Sequence, residues 1–444
     1  MYTKKTLFMI DRYSTPSMTA IWSKEAKYNC WLQVELAICE AHAELGTIPS
    51  GALKEIHTKA AFHLDRCQEL EKITHHDLMA FVQNLSESIG EFGKYIHLGV
   101  TSYDIIDTAL GMMLQDSCKI LLKSAKKLSK TIADLGQKHA HLPMIGRTHG
   151  IHAEPITFGF KLAGWYAEIQ RNMQRLYQLQ KEVSVGKISG AVGIHAFVSP
   201  QLEEIVCQKL GLKPDPVSTQ IVTRDRHAHF MNTLALFGAT IERIATELRN
   251  LQRTEIAEVQ ESFYQGQTGS SAMPHKQNPW KCETLCGLSR ILRSNAQAMM
   301  ETVMSWHERD LTNSAVERIV LPDSCHLVDF MTNSLCSILE EITINKENIK
   351  RNLELLGDLV YSEHLMIALI HAGLSREEAY KLAQTYAKAS IKNKDFQQQI
   401  NNDPTISSLL TDQKMFEIFS LKHHLRHVDH SLRIFSIQSP ESKE

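Results

Sequence analysis

Apolar residues recur at every third or fourth position along most of the chain, which is the period of an α-helix, whereas the alternation typical of strands is scarce. Two long apolar stripes stand out. The first consists of Leu114, Cys118, Leu121, Ala125, Leu128, Ile132 and Leu135, and the second of Leu234, Phe237, Ile241, Ile244, Leu248 and Leu251. Because each stripe extends over roughly 27–33 Å of helix, it is expected to pack lengthwise against other helices. Residues 102–349 are therefore predicted to form an elongated bundle of long helices.

Shorter helical patterns flank this central section. One is predicted from Glu25 to Leu45, because Gly46 and Pro49 follow it as stop signals. After residue 349 the helical pattern is interrupted repeatedly by glycine and proline. The chain is therefore predicted to be all-α, with three helical domains at residues 1–101, 102–349 and 350–444.

The composition is that of an ordinary globular protein. The chain has 444 residues, of which 43% are hydrophobic and 22% are charged. Its 48 basic and 50 acidic side chains give a net charge of −2, so the charge gives no indication of nucleic-acid or membrane binding. Any anionic ligand must consequently be held by cationic groups gathered at one place.

Cysteine usage and the terminal segment bear on the compartment. The nine cysteines include no C-x-x-C pair, and Cys282 and Cys286 are spaced for packing on one helix face. This pattern is not that of a disulfide framework or a zinc site, so no metal is expected. The N-terminal segment lacks the features of a signal peptide, and no run of about 18 apolar residues predicts a membrane span. A cytoplasmic protein is expected.

The most informative segment is Gly269–Pro279, with the sequence Gly-Ser-Ser-Ala-Met-Pro-His-Lys-Gln-Asn-Pro. Glycines at its start leave the backbone mobile, and Pro274 and Pro279 prevent a regular helix. A segment without regular structure that carries serine, histidine, lysine and asparagine is suited to be a closing catalytic loop. A solvated turn is the alternative, because such compositions are common in turns.

This segment closely resembles the signature of the fumarase/aspartase superfamily, and its Ala-Met-Pro-His-Lys form resembles that of the adenylosuccinate lyase family. Other polar segments follow in the family's order and at similar spacing, from about Arg12 to Arg433. The resemblance implies elimination of fumarate from adenylosuccinate and from succinylaminoimidazole carboxamide ribotide. It also implies nucleotide substrates, no cofactor, and a homotetramer whose active sites combine residues from three chains.

In this reading Ser270 is the general base. A serine hydroxyl ionises too weakly by itself, so Lys276 and backbone N–H groups of the loop must activate it. Ser271 and Asn278 are expected to hold the substrate. Acyl-enzyme chemistry of the Ser-x-x-Lys type does not fit, because Met273 stands three residues before Lys276.

A second polar segment, Gly146-Arg147-Thr148-His149-Gly150, separates two long helical patterns. Histidine is a suitable proton donor near neutral pH, and a loop can present it without burial. A connector between helices with an incidental histidine is the alternative. The resemblance assigns the role of general acid to His149.

The third segment, Thr74-His75-His76-Asp77, places two histidines side by side. Neighbouring residues point to different faces of a helix, so the pair is a poor joint metal site. A hydrogen-bonded surface turn is the alternative reading. The family resemblance makes His76 a substrate-orienting histidine tuned by Glu283, with Asp77 beside it, and places His75 where relatives often have arginine.

The segment around Thr101 and Ser102 precedes the first apolar stripe. Both residues are natural N-caps, and this alone explains them. A helix N-terminus also attracts carboxylate and phosphate oxygens. The resemblance assigns Thr101 and Ser102 to a substrate carboxylate, and it places His97 near the substrate phosphate.

Two arginines, Arg309 and Arg318, stand nine residues apart in polar surroundings. Exposed arginines are usually solvated or ion-paired, yet a guanidinium is also the best bidentate phosphate ligand. The resemblance places Arg309, Ser314 and Arg318 in the nucleotide site. Relatives often have a second serine where this chain has Ala315, which leaves one phosphate contact open.

The resemblance also matches Arg12 and Tyr13 with a phosphate-binding pair and Gln220 with another nucleotide contact. An amino-acid substrate would not require the phosphate-directed residues. They therefore argue against the first alternative, another lyase of the superfamily such as argininosuccinate lyase. The second alternative is a helical scaffold without activity, and the presence of Ser270, Lys276 and His149 argues against it.

Overall fold

A computed structural model describes residues 9–264, 266–267 and 269–436 of the chain. These residues form mainly α-helices, namely α1 Pro16–Trp22, α2 Lys24–Glu44, α3 Ser50–Lys59, α4 Leu64–Thr74, α5 Asp77–Ile89, α6 Ser102–Lys138, α7 Phe158–Val183, α8 Pro200–Lys209, α9 Asp225–Leu251, α10 Trp280–Met300, α11 Thr312–Glu341, α12 Lys346–Leu353, α13 Ser362–His371, α14 Arg376–Ser390, α15 Phe396–Asn401, α16 Pro404–Leu409, α17 Asp412–Ile418, α18 Leu421–His424 and α19 Val428–Leu432. Short 3₁₀ helices lie at Gly90–Tyr95, Glu301–Val303, Gly357–Tyr361 and Arg433–Ser436.

Three small two-stranded sheets accompany the helices. Their strands are β1 Pro143–Thr148, β2 Ile151–Thr157, β3 Val185–Gly186, β4 Lys213–Pro214, β5 Val259–Gln260 and β6 Thr343–Ile344. The pairs β1–β2 and β5–β6 are antiparallel, and β3–β4 is parallel. The β1–β2 hairpin stands where the sequence suggested only a connector, but the fold class is all-α as predicted.

The long helices of the central section are confirmed. Helix α6 has 37 residues and α9 has 27. Every residue of the two predicted stripes is buried except Leu135, which is half-buried. The predicted first-domain helix is α2, which ends one residue before Leu45, and Gly46 follows it with a φ of 80°. Apolar periodicity therefore located both the elements and their buried faces.

The described residues divide into two compact units, each assembled from separate stretches of chain. The first unit contains the described residues up to Lys126, together with Arg171–Ile241 and Cys286–Asn333. The second contains Lys127–Gln170, the described part of Glu242–Leu285, and the described residues from Ser334 onward. Each boundary falls inside one of the long helices α6, α7, α9, α10 and α11. The division into three sequential domains stays a prediction.

Each unit has a hydrophobic cluster of its own. In the first unit, Tyr28 and Trp31 of α2 stack at 4.7 Å between ring centroids, and Phe81 of α5 packs edge-on against both rings. In the second unit, Leu369 of α13 and Phe396 of α15 are fully buried in a cluster that α14, α16 and α17 complete. The first of these clusters fixes α5 and the start of α6, which directly follow His76 and Thr101.

The fold also contains a buried cation in the first unit. The Arg224 guanidinium donates hydrogen bonds to both carboxylate oxygens of Asp107 in α6, at 2.7 and 2.9 Å, and to Glu317 in α11, at 2.6 and 3.1 Å. All three side chains are at least nine-tenths buried. Arg224 therefore joins the start of α9 to α6 and α11, next to two residues predicted to bind substrate, Ser314 and Arg318.

Replacing Arg224 with methionine is expected to destabilise the protein by roughly 3–5 kcal/mol, because it leaves two carboxylates buried without a compensating charge. The measurement is the midpoint of guanidinium unfolding followed by circular dichroism. Arg66→Met is the matched control, because Arg66 forms its ion pairs with Glu69 and Glu87 at an exposed surface. Equal midpoints for the two variants would contradict the importance of this buried group.

Among the described residues, no three His, Cys, Asp or Glu side chains are grouped as ligands of one metal ion. All nine cysteines have free thiols, and eight of them are buried. In the same part of the chain, no helix combines the length and the apolar character needed to cross a membrane.

Candidate active site

The segment Gly269–Pro279 is an irregular loop in the second unit, as its sequence predicted. It precedes the first turn of α10. A Cβ atom on Gly269 would lie 2.4 Å from the carbonyl oxygen of Lys276, so the loop can fold back on itself only with glycine at this position. Asn278 fastens the same fold, because its Nδ2 donates a 3.1 Å hydrogen bond to the Gly269 carbonyl.

Ser270 is half-buried in this loop. Its Oγ accepts hydrogen bonds from the backbone N–H groups of Ala272, at 3.3 Å, and Met273, at 3.1 Å. Two N–H donors aimed at one hydroxyl oxygen stabilise negative charge on it, which is what a serine base requires. Ser271 and Lys276 are exposed in the same loop. Activation of Ser270 by Lys276 stays a prediction.

Two buried or half-buried side chains anchor the loop where it enters α10. Glu261 accepts hydrogen bonds from the N–H groups of Lys281, at 3.2 Å, and Cys282, at 2.7 Å, and so caps the start of the helix. Gln252 donates to the Gln277 carbonyl at 3.2 Å. Glu283 lies in the first turn of α10, and its pairing with His76 stays a prediction.

His149 lies at the tip of the β1–β2 hairpin, not in a plain connector between helices. His149 and Gly150 form the two-residue turn and have φ values of 54° and 80°. Two positive φ values are the signature of the tight turn whose twist matches that of antiparallel strands. The strand alternation was too short and too irregular to be predicted, because the pairing is interrupted between Ile145 and Arg147.

A buried ion pair holds this hairpin in place. Arg147, two residues before His149, donates to both oxygens of Glu258, at 3.1 and 2.6 Å. Glu258 is fully buried, and Asn352 of α12 donates a further 2.8 Å hydrogen bond to it. Because a bidentate pair fixes both distance and angle, it holds the strand that leads to His149.

His75 and His76 lie between two helices, so the expectation that they point to different faces of one helix is wrong. His75 ends α4 with a φ of 52°, and His76 is the residue before α5. The Nδ1 of His76 accepts a 3.4 Å hydrogen bond from the N–H of Met79. Its Nε2 lies 3.4 Å from the Oγ of Ser102, so the structure brings together two of the predicted residues.

Asp77, Ser314 and Arg318 line one cavity of about 310 Å³ in the first unit. Arg318 forms an ion pair with Asp77 at 2.8 Å, and its Nε donates a 3.3 Å hydrogen bond to the Ser314 hydroxyl. Burial disfavours the charged form of Asp77, but the positive charges of Lys27 and Arg318 outweigh this effect and lower the pKa of the carboxyl.

Lys27, which the sequence reading missed, lies 3.6 Å from Asp77 on the cavity wall. Burial lowers its pKa to about 8, although Asp77 opposes the shift.

Gln220 and Arg309 form a second predicted pair. The Arg309 guanidinium donates a 2.8 Å hydrogen bond to the Gln220 side chain and lies 3.9 Å above the ring of Tyr103. Stacking on an aromatic face holds a guanidinium plane without consuming its hydrogen-bond donors. Arg309 therefore retains guanidinium N–H groups that could bind a ligand.

The turn with Arg12 and Tyr13 is tied to α11. Immediately after it, Thr15 donates a 2.6 Å hydrogen bond to the buried Asp329, which Ser124 of α6 also contacts at 2.6 Å. The ring of Tyr13 packs edge-on against Phe330 at 5.2 Å. Arg12 itself is exposed. The turn is therefore fixed against α11, and the contact of Arg12 with a substrate phosphate stays a prediction.

Thr101 directly precedes α6, and Ser102 is the first residue of that helix. The N–H of Thr101 donates a 2.7 Å hydrogen bond to Asp104, which is fully buried against Lys187. Four residues earlier, His97 has a φ of 61° and contacts Glu35. The capping and substrate-binding readings are compatible, because the first turn of a helix retains free N–H groups.

The comparisons with known proteins cover nearly the whole chain. Residues 11–292 match the protein family described as Lyase, and residues 358–434 match the family described as adenylosuccinate lyase C-terminus. A solved fumarate lyase from Mesorhizobium sp. has the same fold, with a TM-score of 0.87 and 24% identity over 99% of this chain and 100% of that one. The match to the first family over more than half of the chain defines a protein of the lyase class.

Two relatives narrow this class. The adenylosuccinate lyase of Synechocystis sp. is 46% identical over 419 residues, which are 94% of this chain and 97% of the relative. That of Thermotoga maritima is 45% identical over 428 residues, 96% of this chain and 99% of the relative. The chain belongs to the adenylosuccinate lyase family.

Proposed function

We propose that the chain eliminates fumarate from adenylosuccinate, giving AMP, and from succinylaminoimidazole carboxamide ribotide, giving the carboxamide ribotide. The observation that carries this proposal is the similarity of 44–46% identity to adenylosuccinate lyases over 94–96% of the chain. Both reactions belong to purine nucleotide synthesis, on the routes to AMP and IMP, and we place the enzyme in the cytoplasm.

The chemistry needs a base and an acid. A proton leaves the succinyl carbon next to a carboxylate, and that carboxylate takes up the electron pair as an aci-carboxylate. The C–N bond then breaks, the double bond of fumarate forms, and a proton is added to the departing nitrogen. Ser270 removes the first proton and His149 supplies the second. The substrate's own carboxylate serves as the electron sink, so no cofactor takes part.

The geometry of the loop supports the assignment of the base. Ser270 accepts two backbone N–H hydrogen bonds, and Lys276 lies in the same exposed loop. Closure of the loop around the substrate would exclude water and bring the ammonium group to the developing charge. Asn278 and Ser271 are then placed to hold the succinyl carboxylates.

Cationic and polar groups support a nucleotide substrate over an amino acid. The Arg309 guanidinium, stacked on Tyr103, retains N–H groups that could bind a ligand. Arg318 lines a cavity together with Ser314 and Asp77. Arg12 is exposed on an anchored turn. A phosphate would be bound by such guanidinium groups.

We further propose a homotetramer with active sites shared between subunits. Large apolar side chains are exposed from the end of α10 to the start of α11, namely Met300, Val303, Met304, Trp306 and Leu311. Several exposed apolar side chains within one segment are typical of protein–protein interfaces. Size-exclusion chromatography with light scattering should give four times the mass of the chain.

The proposed activity is tested by incubating the protein with adenylosuccinate and, separately, with argininosuccinate, and measuring fumarate. Release from adenylosuccinate alone is expected. Release from argininosuccinate alone would favour the other lyase activity. Well-folded protein that releases fumarate from neither would favour the catalytically silent scaffold.

A further inference from the structure

His97 is held in an unusual backbone conformation. Its φ of 61° lies in the left-handed region, which side chains with a Cβ rarely adopt. Such a conformation is strained and persists only where surrounding contacts determine it. The residue that supplies those contacts is Glu35, in the middle of α2.

Glu35 engages both the backbone and the ring of His97. One carboxylate oxygen accepts the His97 backbone N–H at 3.0 Å, and the other accepts from the ring Nδ1 at 2.7 Å. The Glu35 side chain is fully buried, and that of His97 is 13% exposed. Because Nδ1 donates to a carboxylate, Nε2 is the nitrogen left to face a ligand.

The charges around His97 favour its protonated form. Burial disfavours the charged ring, but the hydrogen bond and negative charge of Glu35, aided by Asp104, outweigh it and raise the pKa of His97. Asp104 is itself paired with Lys187, and His42 contacts the carbonyl of the neighbouring Leu98 at 3.1 Å. Glu35 is thus the carboxylate in direct contact with the ring.

We propose that Glu35 is a positioning residue that holds His97 as an imidazolium whose Nε2–H binds the anionic group of the substrate. This proposal rests on the proposed function, which supplies the anion. The buried Glu35 carboxylate binds both the backbone N–H and the ring Nδ1 of His97, so its role goes beyond packing in the core. It fixes the turn, selects which nitrogen is free, and supplies the charge that keeps the ring cationic.

The test uses Glu35→Gln, which keeps the shape of the side chain and removes its charge. The pKa of His97 is expected to fall, so that a smaller fraction of the ring is protonated at a given pH. The KM for adenylosuccinate should then rise about tenfold, with kcat within twofold, because a neutral imidazole binds an anion more weakly. A merely structural role of Glu35 would lower the amount of active enzyme and leave KM unchanged.

The pH dependence has a definite sign. In the wild-type enzyme KM stays low until the pH rises through the raised pKa of His97, and then increases. In Glu35→Gln this increase begins at lower pH. The ring is followed directly by nuclear magnetic resonance of labelled histidine in the free protein, with His97→Gln to assign the signal. Glu40→Gln, five residues along the same helix, is the control and should leave both readings unchanged.

The results for Glu35→Gln support or overturn the positioning role of Glu35. An unchanged pKa of His97 in Glu35→Gln overturns the proposal, and so does a lowered pKa with an unchanged KM. If Glu35→Gln does not fold, Glu35→Asp keeps the charge and should retain most of the affinity, whereas a loss of affinity equal to that of His97→Gln overturns the proposal. Failure of the proposed function is separate, because wild-type protein would then release no fumarate from adenylosuccinate.

Discussion

Replacing Ser270 with alanine is expected to lower kcat for adenylosuccinate by at least about 100-fold, because it removes the group that takes the proton from carbon. The fold should remain intact. Ser270 lies in a loop outside the hydrophobic clusters, and the two N–H groups that it accepts belong to exposed residues that water can reach. Fumarate release and thermal unfolding, measured on the same preparation, check both expectations.

The neighbouring serine provides the matched comparison. Ser271 has the same chemistry one position away, but it is assigned to substrate binding. Ser271→Ala should therefore act mainly through KM, and Ser270→Ala mainly through kcat. If the two variants exchanged these effects, the base would be Ser271. Near-normal kcat in Ser270→Ala would exclude Ser270 from proton abstraction.

Replacing His149 with asparagine should lower kcat by about 100-fold or more while leaving the protein as stable as before, or more so. The reason for choosing asparagine lies in the turn, where His149 and Gly150 both have positive φ. Asparagine followed by glycine is the preferred sequence for this turn, so the hairpin is retained. Alanine would add backbone strain on the order of 1 kcal/mol at this positive φ. A fall in kcat could then come from a distorted hairpin as well as from the missing general acid.

Rescue with added imidazole can distinguish whether His149 acts as a proton donor or only as a structural residue. In His149→Gly the turn is again tolerated, and added imidazole can occupy the vacated space. Partial recovery of fumarate release with imidazole, and none with an equal concentration of sodium chloride, would support the role of general acid. Full activity of His149→Asn without any addition would assign proton donation to another group.

The sequence was sufficient to predict the helices, since long helices leave a repeated apolar pattern. The stripe from Leu234 to Leu251 is buried at every predicted position, and α2 ends within one residue of its predicted end. The irregular loop was equally predictable, because proline and glycine leave few regular alternatives. These features depend on local preferences that a single stretch of chain expresses by itself.

The supporting residues were not predictable in this way. Glu35, Glu258 and Glu261 are buried acids whose partners lie distant in sequence, such as Arg147 for Glu258. From the sequence alone, a glutamate on a helix or beside a short strand is expected to be solvated, because its distant partner cannot be identified. The hairpin around His149 was missed for a related reason, because its stability comes from pairing across the turn and from the ion pair behind it.

The discontinuous make-up of the two units has a consequence for how this protein can change. Five helices each contribute residues to both units, and no contiguous stretch encodes either unit alone. Neither half can be excised, expressed separately or exchanged with a homologue by a simple gene fusion. New specificity therefore has to arise by point substitution at loop and helix ends, and chimeras joined at connector segments would be expected to split a unit.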